Sequence, residues 1–241
     1  LAPEDLSAQN ALGVALRHAG NPAASEEIFK KLVAAHPGDP AVLNNYGLTL
    51  TERKKFSEAE NAFLRALDVA PDYHDARINL ADVYAADANF DAAAASLEMA
   101  LSAGSEDKNL QIKLGLMHQK RGRLEEARGV LEPLVGQGVP NADVALASVL
   151  RDVGTFETAR SLLTPPPHHD IPELTRLTNL GLIHLHAGDT ATATTLLRDA
   201  LALQPENSDL HNMLGFTYRH LSDLEKAFFH YTLLLSLLGI L

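Results

Sequence analysis

Small residues that follow a Leu or Tyr recur along the chain at a nearly constant interval. Leu12-Gly13, Tyr46-Gly47, Leu80-Ala81 and Leu114-Gly115 stand 34 residues apart, Leu146-Ala147 follows after 32, and Leu180-Gly181 and Leu214-Gly215 return to 34. A second small residue comes twelve positions after the first: Ser25, Ala59, Ala93, Ala127, Ala159, Ala193 and Ala227. Four residues later stands a large apolar one: Phe29, Phe63, Leu97, Leu131, Leu163, Leu197 and Tyr231. Spacings of three and four place such residues on one face of a helix. Each unit therefore reads as two amphipathic helices. Gly20, Gly122, Gly154 and Gly188 fall between the two, where a turn needs a left-handed residue, and Pro37, Pro71 and Pro205 close the second helix. Seven such units, at about 6–39, 40–73, 74–107, 108–139, 140–173, 174–207 and 208–241, fill the chain.

No single unit can bury its own apolar faces, so stability must come from stacking on its neighbours. The small residues let two helices approach closely and the large residue fills the space beside them. The unit Leu43-Asn44-Asn45-Tyr46-Gly47-Leu48-Thr49-Leu50, followed by Phe56, Ala59, Phe63, Ala66 and Pro71, resembles the tetratricopeptide repeat family, and the resemblance covers nearly the whole chain. It implies an all-α fold, a right-handed α-solenoid superhelix of helix-turn-helix repeats forming a single domain over 1–241. The first helix of each pair would line its inner wall.

Departures from the family pattern are local. The Trp common near the start of a repeat is replaced by Gln9, Leu43, Arg77, Gln111, Asp143, Leu177 and His211, and His118 and His184 stand where Tyr or Leu is usual. The Gly136-Gln137-Gly138-Val139-Pro140 stretch breaks helix before the fifth unit. That unit is short in its spacing and runs into Pro165-Pro166-Pro167-His168-His169-Asp170. A short second helix, an extended loop and a restart near Pro172 are expected. Residues 136–172 form either a bend or change of pitch in the stack or a plain local irregularity. Leu1-Ala2-Pro3-Glu4-Asp5 looks like the tail of a preceding repeat, so the chain reads as cut from a longer array. The apolar last helix, from Ala227 onward, is expected to dock on a further repeat, another domain or a second copy. Self-association through 227–241 is the corresponding expectation.

Positions of the first helix that are not used in packing would face the inner wall. Asn45, Asn79 and Asn179 stand two residues before the small residue, and Asn10, Asn44 and Asn212 one earlier. A side-chain amide offers one acceptor and two donors, and so can pair with a peptide backbone whatever its side chains. The row resembles the asparagine ladder in the repeat region of the nucleocytoplasmic O-linked N-acetylglucosamine transferases. It is interrupted by Lys113, Ala145 and Met213. The alternative is that these Asn satisfy neighbouring backbone groups or face water. The terminal-carboxylate clamp of chaperone-tail binders in the family is not supported, because its leading Lys is missing where Asn10, Val14, Asn45 and Asn79 stand. Lys113, Lys120 and Arg151 are expected to form a positive spot on the wall, able to pair with an acidic residue of a partner or simply solvated.

Composition narrows the function. Of 241 residues, 20 are Lys or Arg and 31 Asp or Glu, a formal net charge of −11, which argues against nucleic acid or an anionic membrane as partner. Cys is absent, which removes disulfides, thiolate metal sites and cysteine nucleophiles and leaves cytosol and periplasm both open. Trp is absent and aromatics are 5%, so a large aromatic-lined substrate pocket is not expected. Eleven His include His184 and His186 on different helix faces, His186 and His220 at one place of successive units, and the loop pair His168 and His169. None forms H-E-x-x-H, and no phosphate loop or nucleophile elbow is present. No metal, cofactor or catalysis is expected, and no stretch is long enough to span a membrane. The reading is a non-catalytic scaffold that binds a peptide or helix of a partner protein in its groove. The alternatives are the substrate-presenting repeat region of a larger enzyme such as a glycosyltransferase, or a bacterial envelope or pilus assembly factor.

Overall fold

The computed structural model describes residues 5–164 and 171–240. The expected loop at Pro165–Asp170 and the terminal Leu1–Glu4 lie outside them. The described residues form helices and turns, with no strand among them. The chain divides into two compact units, Leu1–Gly122 and Arg123–Leu241.

The first unit holds α1 (Leu6–His18), α2 (Pro22–Ala35), α3 (Pro40–Glu52), α4 (Phe56–Val69), α5 (His74–Ala86), α6 (Phe90–Ser102) and α7 (Lys108–Lys120). Helices α1/α2, α3/α4 and α5/α6 are antiparallel pairs. Each second helix also packs on the next first helix, and α1, α3 and α5 touch in a row. Asp5, Asn21, Asp39, Asn89 and Asp107 start five of the seven helices by accepting hydrogen bonds from exposed first-turn N–H groups. Pro22 and Pro40 reinforce two of these starts.

The small residues do more than allow approach. A Cβ on Gly47 would sit 2.6 Å from the Phe63 ring, and one on Gly13 would sit 2.7 Å from the Phe29 ring. The large residue of the second helix thus lies directly over the glycine of the first. Phe29 and Phe63 are fully buried there, each worth about 1.5–3 kcal/mol. Ser25, at the second small position, donates to the Gly13 carbonyl at 2.8 Å and lies 3.1 Å from the Thr49 hydroxyl of the next first helix. The core is continuous across the pairs: Leu43, Leu50, Phe63, Ala76, Leu80 and Val83 form one cluster drawn from α3, α4 and α5.

The second unit holds α8 (Leu124–Gly136), α9 (Ala142–Val153), α10 (Phe156–Leu163), α11 (Glu173–His186), α12 (Thr190–Leu203), α13 (Ser208–His220) and α14 (Leu224–Leu237). Here α9/α10, α11/α12 and α13/α14 are pairs, and α9 touches α11. The same small-over-large packing recurs at Gly181 on Leu197 and Gly215 on Tyr231. Helix α8 carries Pro133 inside it, which removes one backbone hydrogen bond from the helix. Helix α10 has eight residues and ends at Thr164 in extended conformation, and α11 starts after Pro172.

The turn inside each pair takes a left-handed residue whether or not glycine stands there. Gly20, Gly122, Gly154 and Gly188 do so, and so do Lys54, Ala88 and Ser222 at the same repeat position. Stacking therefore imposes the turn on residues that disfavour it by about 1–2 kcal/mol.

Candidate functional site

The row of first helices in the first unit carries the asparagines at half-buried positions, except Asn44, which is buried. They are not independent. Asn45 Nδ2 of α3 donates to Asn10 Oδ1 of α1 at 3.0 Å, and Asn79 Nδ2 of α5 donates to Asn44 Oδ1 of α3 at 2.9 Å. The two expected sets of Asn are thus the two halves of one clasp: the earlier position of one repeat accepts from the later position of the next. Each donor amide retains its own Oδ1 and one N–H. That is the donor–acceptor pair a peptide unit needs, held in a fixed orientation.

The clasp stops where the sequence changes. In α7, Lys113 stands at the donor position and bonds both oxygens of Asp82 on α5, at 2.7 and 2.8 Å. Lys120 is exposed at the end of α7. Arg151 belongs to α9 in the other unit, where it pairs with Asp152 at 2.8 Å and reaches Ser148 at 3.4 Å. Lys113 and Arg151 therefore each have a carboxylate of their own. In the second unit Asn179 of α11 turns back to the Thr175 carbonyl of its own helix at 2.9 Å, and Asn212 of α13 is exposed.

His186 and His220 both line a cleft of about 370 Å³ with Leu185, Gly188, Thr190 and Phe216. The Phe216 and His220 rings lie 4.4 Å apart, and Arg219 stands 5.1 Å over Phe216. His186 donates from Nδ1 to the Leu182 carbonyl at 2.8 Å, while His184 meets Asp189 at 3.1 Å. Among the described residues no group of three His, Asp or Glu is placed to hold a metal ion, and no helix is long and apolar enough to cross a membrane.

Two buried polar clusters lie outside the sequence reading. In the first unit Glu26 of α2 is 1% exposed and is met at 2.8 Å by Lys30, at 2.8 Å by Lys55 and at 2.9 Å by Arg53. The Arg53 contact to Oε2 is a charge contact without hydrogen-bond alignment. Burial alone would raise this carboxyl, but the two lysine partners outweigh it and hold the group below the usual carboxylate value. The i+4 spacing to Lys30 was a visible signal, whereas Arg53 and Lys55 come from beyond α3.

In the second unit His211 of α13 and His230 of α14 are buried with their Nδ1 atoms 2.9 Å apart, and His211 Nε2 lies 2.9 Å from the Pro205 carbonyl. A carbonyl only accepts, so neutral His211 carries its proton on Nε2 and its Nδ1 accepts. His230 must then donate from Nδ1. Tyr218 stacks on His230 at 5.5 Å and 10°. Burial first, then the charge that a protonated His211 would bring and that of Arg198, push His230 below the usual histidine value. The signal for this pair lay in the register: Leu177 and Leu196 hold the same two positions one repeat earlier.

Stacked antiparallel helix pairs sharing apolar cores within each unit define an α-solenoid fold. Models of the tetratricopeptide repeat match residues 1–40, 50–114, 110–133, 174–204 and 196–229, together about three quarters of the chain. The chain belongs to the tetratricopeptide repeat family, whose members are protein–protein interaction scaffolds and generally non-catalytic. Among curated proteins none matches the sequence. Solved structures of the same fold include a tetratricopeptide repeat protein from Parabacteroides merdae (16% identity, 90% of this chain and 85% of that one, TM-score 0.74). The type IV pilus biogenesis factor PilW is similar at 16% identity over 88% of this chain and 100% of that one, TM-score 0.72. A chain of the APC/C hetero-tetramer Cut9–Hcn1 is similar at 20% identity over 98% of this chain, TM-score 0.69. This chain spans about half the length of that last one, 47%.

Proposed function

We propose that the row of α1, α3 and α5 binds an extended segment of a partner protein, gripping its backbone through Asn45 and Asn79. The observation that carries the reading is the pair of Asn–Asn clasps. Each clasp uses one donor of an amide and leaves an acceptor and a donor that are already oriented, so a partner strand meets little ordering cost. Backbone pairing gives affinity without demanding a particular sequence. Selectivity would come from the groups beside the clasps: Asp82, which is held by Lys113, and Lys120 at the end of α7.

The test is selection of short random peptides on the immobilised protein, followed by titration of the winners by calorimetry. Asn45→Ala with Asn79→Ala is expected to weaken them about tenfold or more, while Asn179→Ala in the second unit leaves them unchanged. Equal affinity for the double variant would remove backbone gripping from this row.

A further inference from the structure

His186 ends α11 and His220 ends α13, and the two hold one repeat position, 34 residues apart. Both are exposed, and both line the open cleft of about 370 Å³ bounded by α11, the start of α12 and α13. Side chains at this register can reach across a row of first helices. In the first unit Glu52 holds the same position of α3, and Arg17 of α1 meets it at 2.9 Å.

Each imidazole is supported from behind. The Leu182 carbonyl lies 2.8 Å from His186 Nδ1. A carbonyl only accepts, so the neutral ring carries its proton on Nδ1 and turns the Nε2 lone pair to an outside partner. A backbone carbonyl on the far nitrogen is the usual support of a metal-binding histidine, because it fixes tautomer and ring orientation together. His220 is held by the Phe216 ring, 4.4 Å away. Among the described residues that line the cleft there is no Asp, Glu, Lys or Arg. Without a carboxylate it offers little to Mg²⁺ or Ca²⁺, which take oxygen ligands, and without a cation in its wall it does not repel an incoming ion. Arg219 is drawn onto the Phe216 ring instead.

We propose that His186 and His220 together bind one divalent transition-metal ion of the class that prefers imidazole, Cu²⁺, Ni²⁺ or Zn²⁺, in this cleft. His186 ligates through Nε2, and water fills the positions that the two rings leave open. Two side chains are fewer than the three protein ligands of a catalytic zinc site, so the ion here is exchangeable. The two ligands come from successive repeats, so a motif within one helix, such as H-E-x-x-H, does not bear on the site. It lies in the second unit and does not depend on backbone gripping by Asn45 and Asn79 in the first.

The test titrates the full chain, free of any affinity tag, with a Cu²⁺ salt by calorimetry and reads the bound ion by electron paramagnetic resonance. One Cu²⁺ per chain with nitrogen coupling is expected. Ni²⁺ and Zn²⁺ should take the same site more weakly and Mg²⁺ not at all. His186→Gln and His220→Gln should each weaken Cu²⁺ about tenfold or more. The two together should cost little further, because either one already dismantles the chelate. Both side chains are exposed, so circular dichroism should not change. His36→Gln, an exposed histidine of the first unit, should leave binding as it is. Affinity untouched by His186→Gln or by His220→Gln overturns the proposal. So does a site that survives both and is lost in His168→Gln with His169→Gln, and so does weak uptake of several ions spread over the chain.

Discussion

Helix pairs α1/α2 and α13/α14 each carry polar groups into a packed interior, and they solve the desolvation problem in opposite ways. Glu26 remains charged because three cations reach it, two of them from the end of the next first helix and its turn. His230 is pushed toward its neutral form by burial, and in that form one proton lies between the two rings while a second is held by a carbonyl. One cluster is a charge held by opposite charge, and its cationic heads lie near water. The other is a chain of neutral hydrogen bonds fixed by tautomer. The repeat backbone therefore does not prescribe how a buried polar position is satisfied. It prescribes only which neighbours are within reach.

The largest effect that separates the two is expected at Glu26. Glu26→Ala should lower the unfolding free energy of the first unit by about 2–3 kcal/mol, since it removes the anion shared by Lys30, Arg53 and Lys55 and opens space at a buried site. Urea unfolding followed by circular dichroism measures it. A loss below the scatter of surface substitutions would mean that the cations do not hold this carboxylate in solution.

The histidine pair is expected to behave as a unit. His230→Leu alone leaves the Nδ1 acceptor of buried His211 without its donor and should cost about 1–2 kcal/mol. His211→Leu with His230→Leu reproduces the Leu177 and Leu196 of the preceding repeat and should return most of that loss. Additive losses in the double-mutant cycle would show that the two rings do not share a hydrogen bond.

Acidification should separate the clusters next. His230 titrates lower in the folded chain than in the unfolded one, so the unfolded state binds more protons. Its stability contribution is complete above about pH 6.5 and is lost as the pH falls through its folded value. Melting temperature should therefore drop as the pH falls below about 6.5 in the native chain and in Glu26→Ala, and less in the double Leu variant. Glu26 follows the same sign in a lower window: its contribution is present above the ordinary carboxylate value and is lost as the pH falls below it. An identical melting profile for the native chain and the double Leu variant would place the proton-sensitive group elsewhere.

The smallest expected difference is in salt. Raising ionic strength to about 1 M should cost the native chain a few tenths of a kcal/mol through the half-exposed lysines and Arg53 around Glu26. The same change should leave the His211–His230 pair unaffected. A salt effect that persists in Glu26→Ala would have to come from the other surface ion pairs, such as Arg17–Glu52 or Lys113–Asp82.

Much of the fold was legible because it is written locally and then repeated. The Gly13–Phe29, Gly47–Phe63, Gly181–Leu197 and Gly215–Tyr231 contacts all join residues sixteen apart, so the small-then-large pattern identifies the helix pair and its closest approach together. The site was legible only in part. The asparagine positions stand out by their period. That Asn45 reaches Asn10, and Asn79 reaches Asn44, depends on how far one first helix is shifted along the next, and no single repeat contains that shift. The Lys113 and Arg151 charges looked available in sequence, yet Asp82 and Asp152 already hold them.

The sequence by itself determined the helices, their pairing and the family of this protein, because amphipathic period, capping residues and small–large spacing all act within about one repeat of chain. Only the tertiary structure decided which polar groups are spent inside the stack and which are left for a partner. Glu26, the His211–His230 pair and the asparagine clasps are settled by distances between helices. Hydrogen bonds and ion pairs form over about 3 Å, a length that a repeating pattern does not encode and that packing sets one interface at a time.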